Sequence, residues 1–127
     1  MTAGDVKGDE MEIWELTAGS AIAKGGLVHI ESDGYWDPCT TGSLGKFAVA
    51  IEAADGAASL FRAVVKGKVE VDCSGNVAKG ARGIAGTLGT VASQLFTDES
   101  GNNVYAAGTF TEAGTDAGTA TFFVGLI

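Results

Sequence analysis

The chain has 127 residues, with sixteen acids against eight bases and one histidine, giving a net charge of −8 and 46% hydrophobic residues. That length suits a single domain able to bury a core without disulfides or metal. The charge repels phosphate backbones and acidic lipid surfaces, so neither nucleic acid nor membrane is an expected partner.

The opening "MTAGDVKGDEMEIWEL" is polar and acidic where a secretory signal would be basic and then apolar, so a soluble protein made in the cytosol is expected. Residues 1–20 read as an N-terminal arm and first strand, Glu10 to Leu16, ahead of one β domain at 21–127. Ile13 and Trp14 are neighbours in that strand. One of them must point away from whichever face the other buries, unless the strand is covered on both sides, and this hints at an interface. Thr17 to Gly26 connects to a strand at Leu27 to Glu31, which carries His29. After the "SDG" turn, Tyr35 and Trp36 either close one end of the core or offer an exposed anchor.

Strands follow at Phe47 to Ala53 and Leu60 to Val65, joined by "ADG". The stretch "VVKGKVEVDCSGNVAKGARG" predicts a strand at Lys68 to Cys73, a "CSGN" corner and an immediate return through Val77 as a hairpin. Gly83 to Leu88 is a glycine-rich strand. Val91 to Glu99 is a short helix or a loop, since Val91, Leu95 and Phe96 share one helical face over barely two turns. Strands at Val104 to Thr111 and Thr119 to Leu126, around "TDAG", complete the chain. Twenty glycines and one proline among alternating apolar segments make this an all-β pattern of short strands and hairpins. Segments 47–65 and 107–125 share one plan, a strand, Glu-Ala, an Asp and Gly turn and an apolar strand, which implies two hairpins of the same design.

Catalytic chemistry finds little footing. A serine or cysteine nucleophile needs a nearby base, and the single His29 sits mid-strand with no GxSxG elbow in the chain. Glycines at 80, 83, 86 and 89 match neither a P-loop nor a dinucleotide loop. "TDESGNN", Thr97 to Asn103, lacks the spacing of a calcium loop and reads as a polar turn. Cys39 and Cys73 form no CxxC pair and read as free thiols. The basic residues Lys66, Lys68, Lys79 and Arg82 are interleaved with Glu70 and Asp72, as on a solvated strand face. No enzyme activity, cofactor or metal is expected.

Taken in order, "GLVHIESDGYWDP", "LGKFAVAIEAADGAASLFRAVVKGKVEVDCSGNVAKGARG" and "NNVYAAGTFTEAGTDAGTATFFVGLI" resemble the small capsid decoration, or cement, proteins of tailed bacteriophages. The resemblance implies a compact β-barrel or tulip-like domain with an extended N-terminal arm. It further implies a homotrimer on the outer surface of the virion, bound to the major capsid protein and cementing the capsomers. The arm would make the contact to the shell or to a neighbouring subunit through Val6, Met11, Ile13 and Trp14. The alternative is a receptor- or carbohydrate-binding β module of a phage tail or fibre, with Tyr35 and Trp36 as its platform.

Overall fold

The computed structural model describes residues 3–4, 6–41, 43, 46–93 and 106–125, with side chains omitted at 6–10. The strands are β1 (Val6–Thr17), β2 (Leu27–Ile30), β3 (Trp36–Pro38), β4 (Phe47–Ala50), β5 (Leu60–Asp72), β6 (Arg82–Ala85), β7 (Val91–Ser93), β8 (Gly108–Phe110) and β9 (Thr119–Val124). They form one antiparallel sheet in the order β3-β2-β4-β5-β9-β8-β6-β7, with β1 laid along β5. The sheet curls into a half-barrel, so the all-β expectation holds.

Several boundaries differ from those expected. Leu60 to Val65 and Lys68 to Cys73 are one strand, because Gly67 at φ +140° carries the chain through without a turn. The hairpin expected from Val64 to Gly83 does not form. Beyond the corner the chain crosses to β6, which pairs with β7 and β8 and not with β5. Gly83 to Leu88 is a strand only to Ala85, followed by a 3-10 turn at Thr87–Gly89 with Leu88 at φ +53°. Val91 to Ser93 is strand where a helix or loop was expected, and 94–105 lies outside the described residues. β3 was not anticipated.

The architecture is an internal duplication. Leu27 pairs with Val49 as Arg82 pairs with Thr109, and Val28 with Pro38 as Gly83 with Ser93. Val49 pairs with Val64 as Thr109 with Phe123, and Thr17 with Leu60 as Asp72 with Thr119. The isolated bridges repeat as well, Ala18 to Trp36 matching Cys73 to Val91 and Ile22 to Ala54 matching Val77 to Gly114. Even the bends coincide. Gly25 and Gly80, at φ +86° and +87°, donate their N–H groups to Ala50 and Phe110, while Ala58 and Ala117 are both left-handed. Glu52 accepts from the Arg62 N–H at 3.0 Å, and Glu112 from the Thr121 N–H at 3.1 Å. The expected hairpins at 47–65 and 107–125 are thus the visible part of two whole half-units, which share β5: its first half closes one unit and its second half opens the other.

The two units fill their interiors by exchanging volume. One buries Leu16, Val28, Trp36, Ala48, Ala50, Phe61 and Ala63. In the other, Gly83 and Gly108 stand where Val28 and Ala48 do, Val91 stands in place of Trp36, and Phe110 and Phe122 replace Ala50 and Ala63. The Phe110 and Phe122 rings lie 5.0 Å apart, and a Cβ on either glycine would overlap the Phe122 ring. Close packing admits one large residue per site, and each unit has placed its aromatics on different strands.

Candidate functional site

Among the described residues, no three His, Cys, Asp or Glu side chains come together as metal ligands would. Cys39 and Cys73 are buried free thiols, and burial pushes the Cys39 thiol up to about 12, away from the reactive thiolate form. His29 is half-buried on β2, opposite Asp37. Glu70, only 2% exposed, accepts from the Thr121 hydroxyl at 2.8 Å, and that hydroxyl also contacts Glu112. Glu70 is a buried acid satisfied within the sheet, as buried polar groups must be.

What remains is surface, and one edge of it stands out. β1 is hydrogen-bonded to β5 along one side, from Val6 opposite Val69 to Thr17 opposite Leu60, with irregular register around Glu12. Among the described residues no strand pairs with its other side. A strand of twelve residues with a free edge is exposed to pairing with another chain. Its last residues are anchored, because Leu16 lies in the core opposite Phe61. Ile13 is 40% exposed and Trp14 is 55% exposed. The two point to opposite faces, so both faces of the sheet present apolar surface at this edge.

Of the four residues expected to make the contact, Ile13 and Trp14 are therefore available together. Met11 is partly buried against the core, and Val6 is placed only by its backbone register with Val69. Trp14 does not take the core position that is the ordinary expectation for a tryptophan, because among the described residues no strand flanks β1 on its outer side. Trp36 does take it, covered by β2 and the Ala18 bridge. A flat aromatic platform of Tyr35 and Trp36 is accordingly absent, with only Tyr35 exposed.

A second set of exposed apolar residues sits at the tips of the two equivalent hairpins. Ile30 and Tyr35 flank the β2–β3 turn, and Leu88, 87% exposed and left-handed, crowns the β6–β7 turn. The sequence pattern did not single out Leu88, since a leucine in a glycine-rich run reads as strand until its φ is known.

Comparison with solved structures finds the head fiber gp8.5 N base of bacteriophage phi29, with a TM-score of 0.64 at 14% identity, over 91% of this chain and 94% of that one. The two share a fold. No protein-family model and no curated protein sequence matches the chain.

Proposed function

We propose that the chain is a virion structural protein of a tailed bacteriophage, which binds the outer surface of the head as a homotrimer and holds neighbouring capsomers together through the major capsid protein. The observation that carries this reading is the fold shared, nearly end to end, with the base of a phage head fiber. The net charge of −8 is compatible with an outer surface facing away from packaged DNA. The edge of β1, with Ile13 and Trp14, is the contact surface in this reading. Burying the half of those side chains that is still exposed supplies on the order of 2 kcal/mol, roughly thirtyfold in affinity.

The test is addition of the purified chain to heads assembled without it, followed by occupancy and resistance of the heads to heat. Wild-type chain should decorate and stabilise them. A chain that binds cells or glycans and leaves heads bare overturns the reading. The double variant Ile13→Ser, Trp14→Ser should lower occupancy by about tenfold or more. Unchanged occupancy with the double variant, together with loss in Leu88→Ser, moves the contact to the hairpin tips.

A further inference from the structure

The duplication supplies its own control for the free edge of β1. In the second unit, the equivalent strand is the latter half of β5. It pairs with β9 on one side, Lys68 opposite Phe123 and Val69 opposite Phe122. On its other side the same two residues pair with Lys7 and Val6 of β1. Thus one strand is flanked twice, and Val69 is fully buried. In the first unit, the residues matching Lys68 and Val69 are Ile13 and Trp14, which pair with Val64 and Ala63 on the corresponding side. On the other side, where the second unit carries the start of β1, the first unit has nothing among the described residues. Trp14 is exposed at the very position that is sealed in its twin.

We infer that the outer edge of β1 at residues 12–16 is a strand-accepting slot, filled by an extended, antiparallel segment of another protein with apolar residues at its centre and lysine or arginine on either side. The apolar centre follows from Ile13 and Trp14, beside which an incoming strand would set one side chain on each face; on Trp14's face the twin's Val69 is buried. The basic flanks follow from Glu12 and Glu15, both exposed and directly outside that centre. A second copy of β1 is disfavoured in the register that sets its apolar pair against that of the first. Antiparallel pairing that set Ile13 against Trp14 would bring Glu12 of one copy opposite Glu15 of the other, twice over, in a chain already carrying −8.

The inference rests on the proposed use of this edge but is tested without heads. The probe is a capped peptide of about eight residues with Lys-Val-Val-Lys at its centre and threonines outside, a typical strand length. Two controls accompany it, the same peptide N-methylated at alternate residues and a version with Glu in place of Lys. Backbone amide exchange in the full-length chain is followed by NMR. The Lys peptide should slow exchange at alternate residues of 12–16 by about tenfold or more, and shift the Trp14 emission to the blue. The N-methylated peptide, unable to form the ladder, should do neither, and the Glu peptide should bind about fivefold or more weakly. Equal effects from the N-methylated peptide overturn the slot, as does the absence of protection with every peptide. Slow exchange in the free protein at the amides of 12–16 that face away from β5, in parallel with concentration-dependent dimers in sedimentation, overturns the choice of occupant in favour of a second copy. Loss of head binding with peptide protection intact would count against the proposed function alone.

Discussion

Cys39 is fully buried, with its backbone N–H donated to Leu27 and its carbonyl accepting from Gly89, so it sits where the two units meet. Burial raises its thiol to about 12 despite a hydrogen bond with Ser43 that lowers it, and burial, with the charges of Asp72, Glu70 and Asp116, also raises that of Cys73. A thiol reagent at pH 8 should therefore leave both cysteines unmodified in the native protein and label them once denaturant unfolds it, as read by mass spectrometry. Rapid labelling of the native chain would show that the interior opens locally. Acidity at the surface has a different origin. Glu31 is held above its ordinary value of 4.5 chiefly by a side-chain hydrogen bond to Asp37 and by the repulsion between the two carboxyls. A carboxyl whose folded pKa is raised binds its proton more tightly when folded, so its contribution to stability is present below about 4.5 and is lost as pH climbs through the raised value. Glu31→Gln should flatten the dependence of the thermal midpoint on pH across that window. The opposite arrangement holds at Glu52, whose carboxyl the Arg62 guanidinium, 3.2 Å away, and the Arg62 N–H keep below its usual range.

At the scale of elements, the two units show the same ladders carried by different side chains. Gly108 faces the Phe122 ring and the Phe123 carbonyl so closely that no Cβ fits, whereas its counterpart Ala48 has a methyl group in the same place. Gly108→Ala should cost about 1–3 kcal/mol through overpacking. Ala48→Gly should cost only about 0.5–1 kcal/mol, mainly in backbone entropy. Denaturant unfolding of both variants checks the pair, and equal costs would mean that the exchange of volume between units is looser than the packing indicates. β5 is the element that makes the duplication one body, since it runs through both units and pairs with β1, β4 and β9. Its continuity depends on Gly67, where φ +140° falls in a region that side-chain-bearing residues rarely adopt.

For the whole molecule, sharing a strand implies sharing a transition. Leu27, Cys39, Val49 and Val64 of the first unit pack in the same buried cluster as Val71, Val91, Phe110 and Phe122 of the second. The chain should unfold in a single step seen alike by far-UV circular dichroism and Trp36 fluorescence. A fragment beginning at Gly67 should remain unfolded by dichroism, because it lacks Leu27, Cys39, Val49 and Val64 of that cluster and the β1 and β4 ladders along β5. A folded fragment would establish the units as independent domains. The same interdependence governs tests of the β1 edge. Deleting residues 1–16 removes the ladder along β5 as well as the contact surface, so substitutions at Ile13 and Trp14 are the informative change.

Alternation and turn chemistry act over a few residues, and they were enough to make the chain all-β, to place most strands within a few residues and to reveal the matching hairpins at 47–65 and 107–125. They also marked Ile13 and Trp14 as a pair that could not both be buried by one face. Pairing was another matter. The strand after "CSGN" joins β7 and β8 rather than its predecessor, and nothing local separates those outcomes, because the alternation of β6 suits any edge with the right register. The extent of the duplication was likewise hidden. Its equivalences lie in backbone hydrogen bonds and bends, while core residues such as Trp36 and Val91, or Ala63 and Phe122, differ in size and match only when their surroundings are compensated in three dimensions. Whether Trp14 is core or surface depends on what lies beside β1, and that is decided by which edges the rest of the chain leaves open.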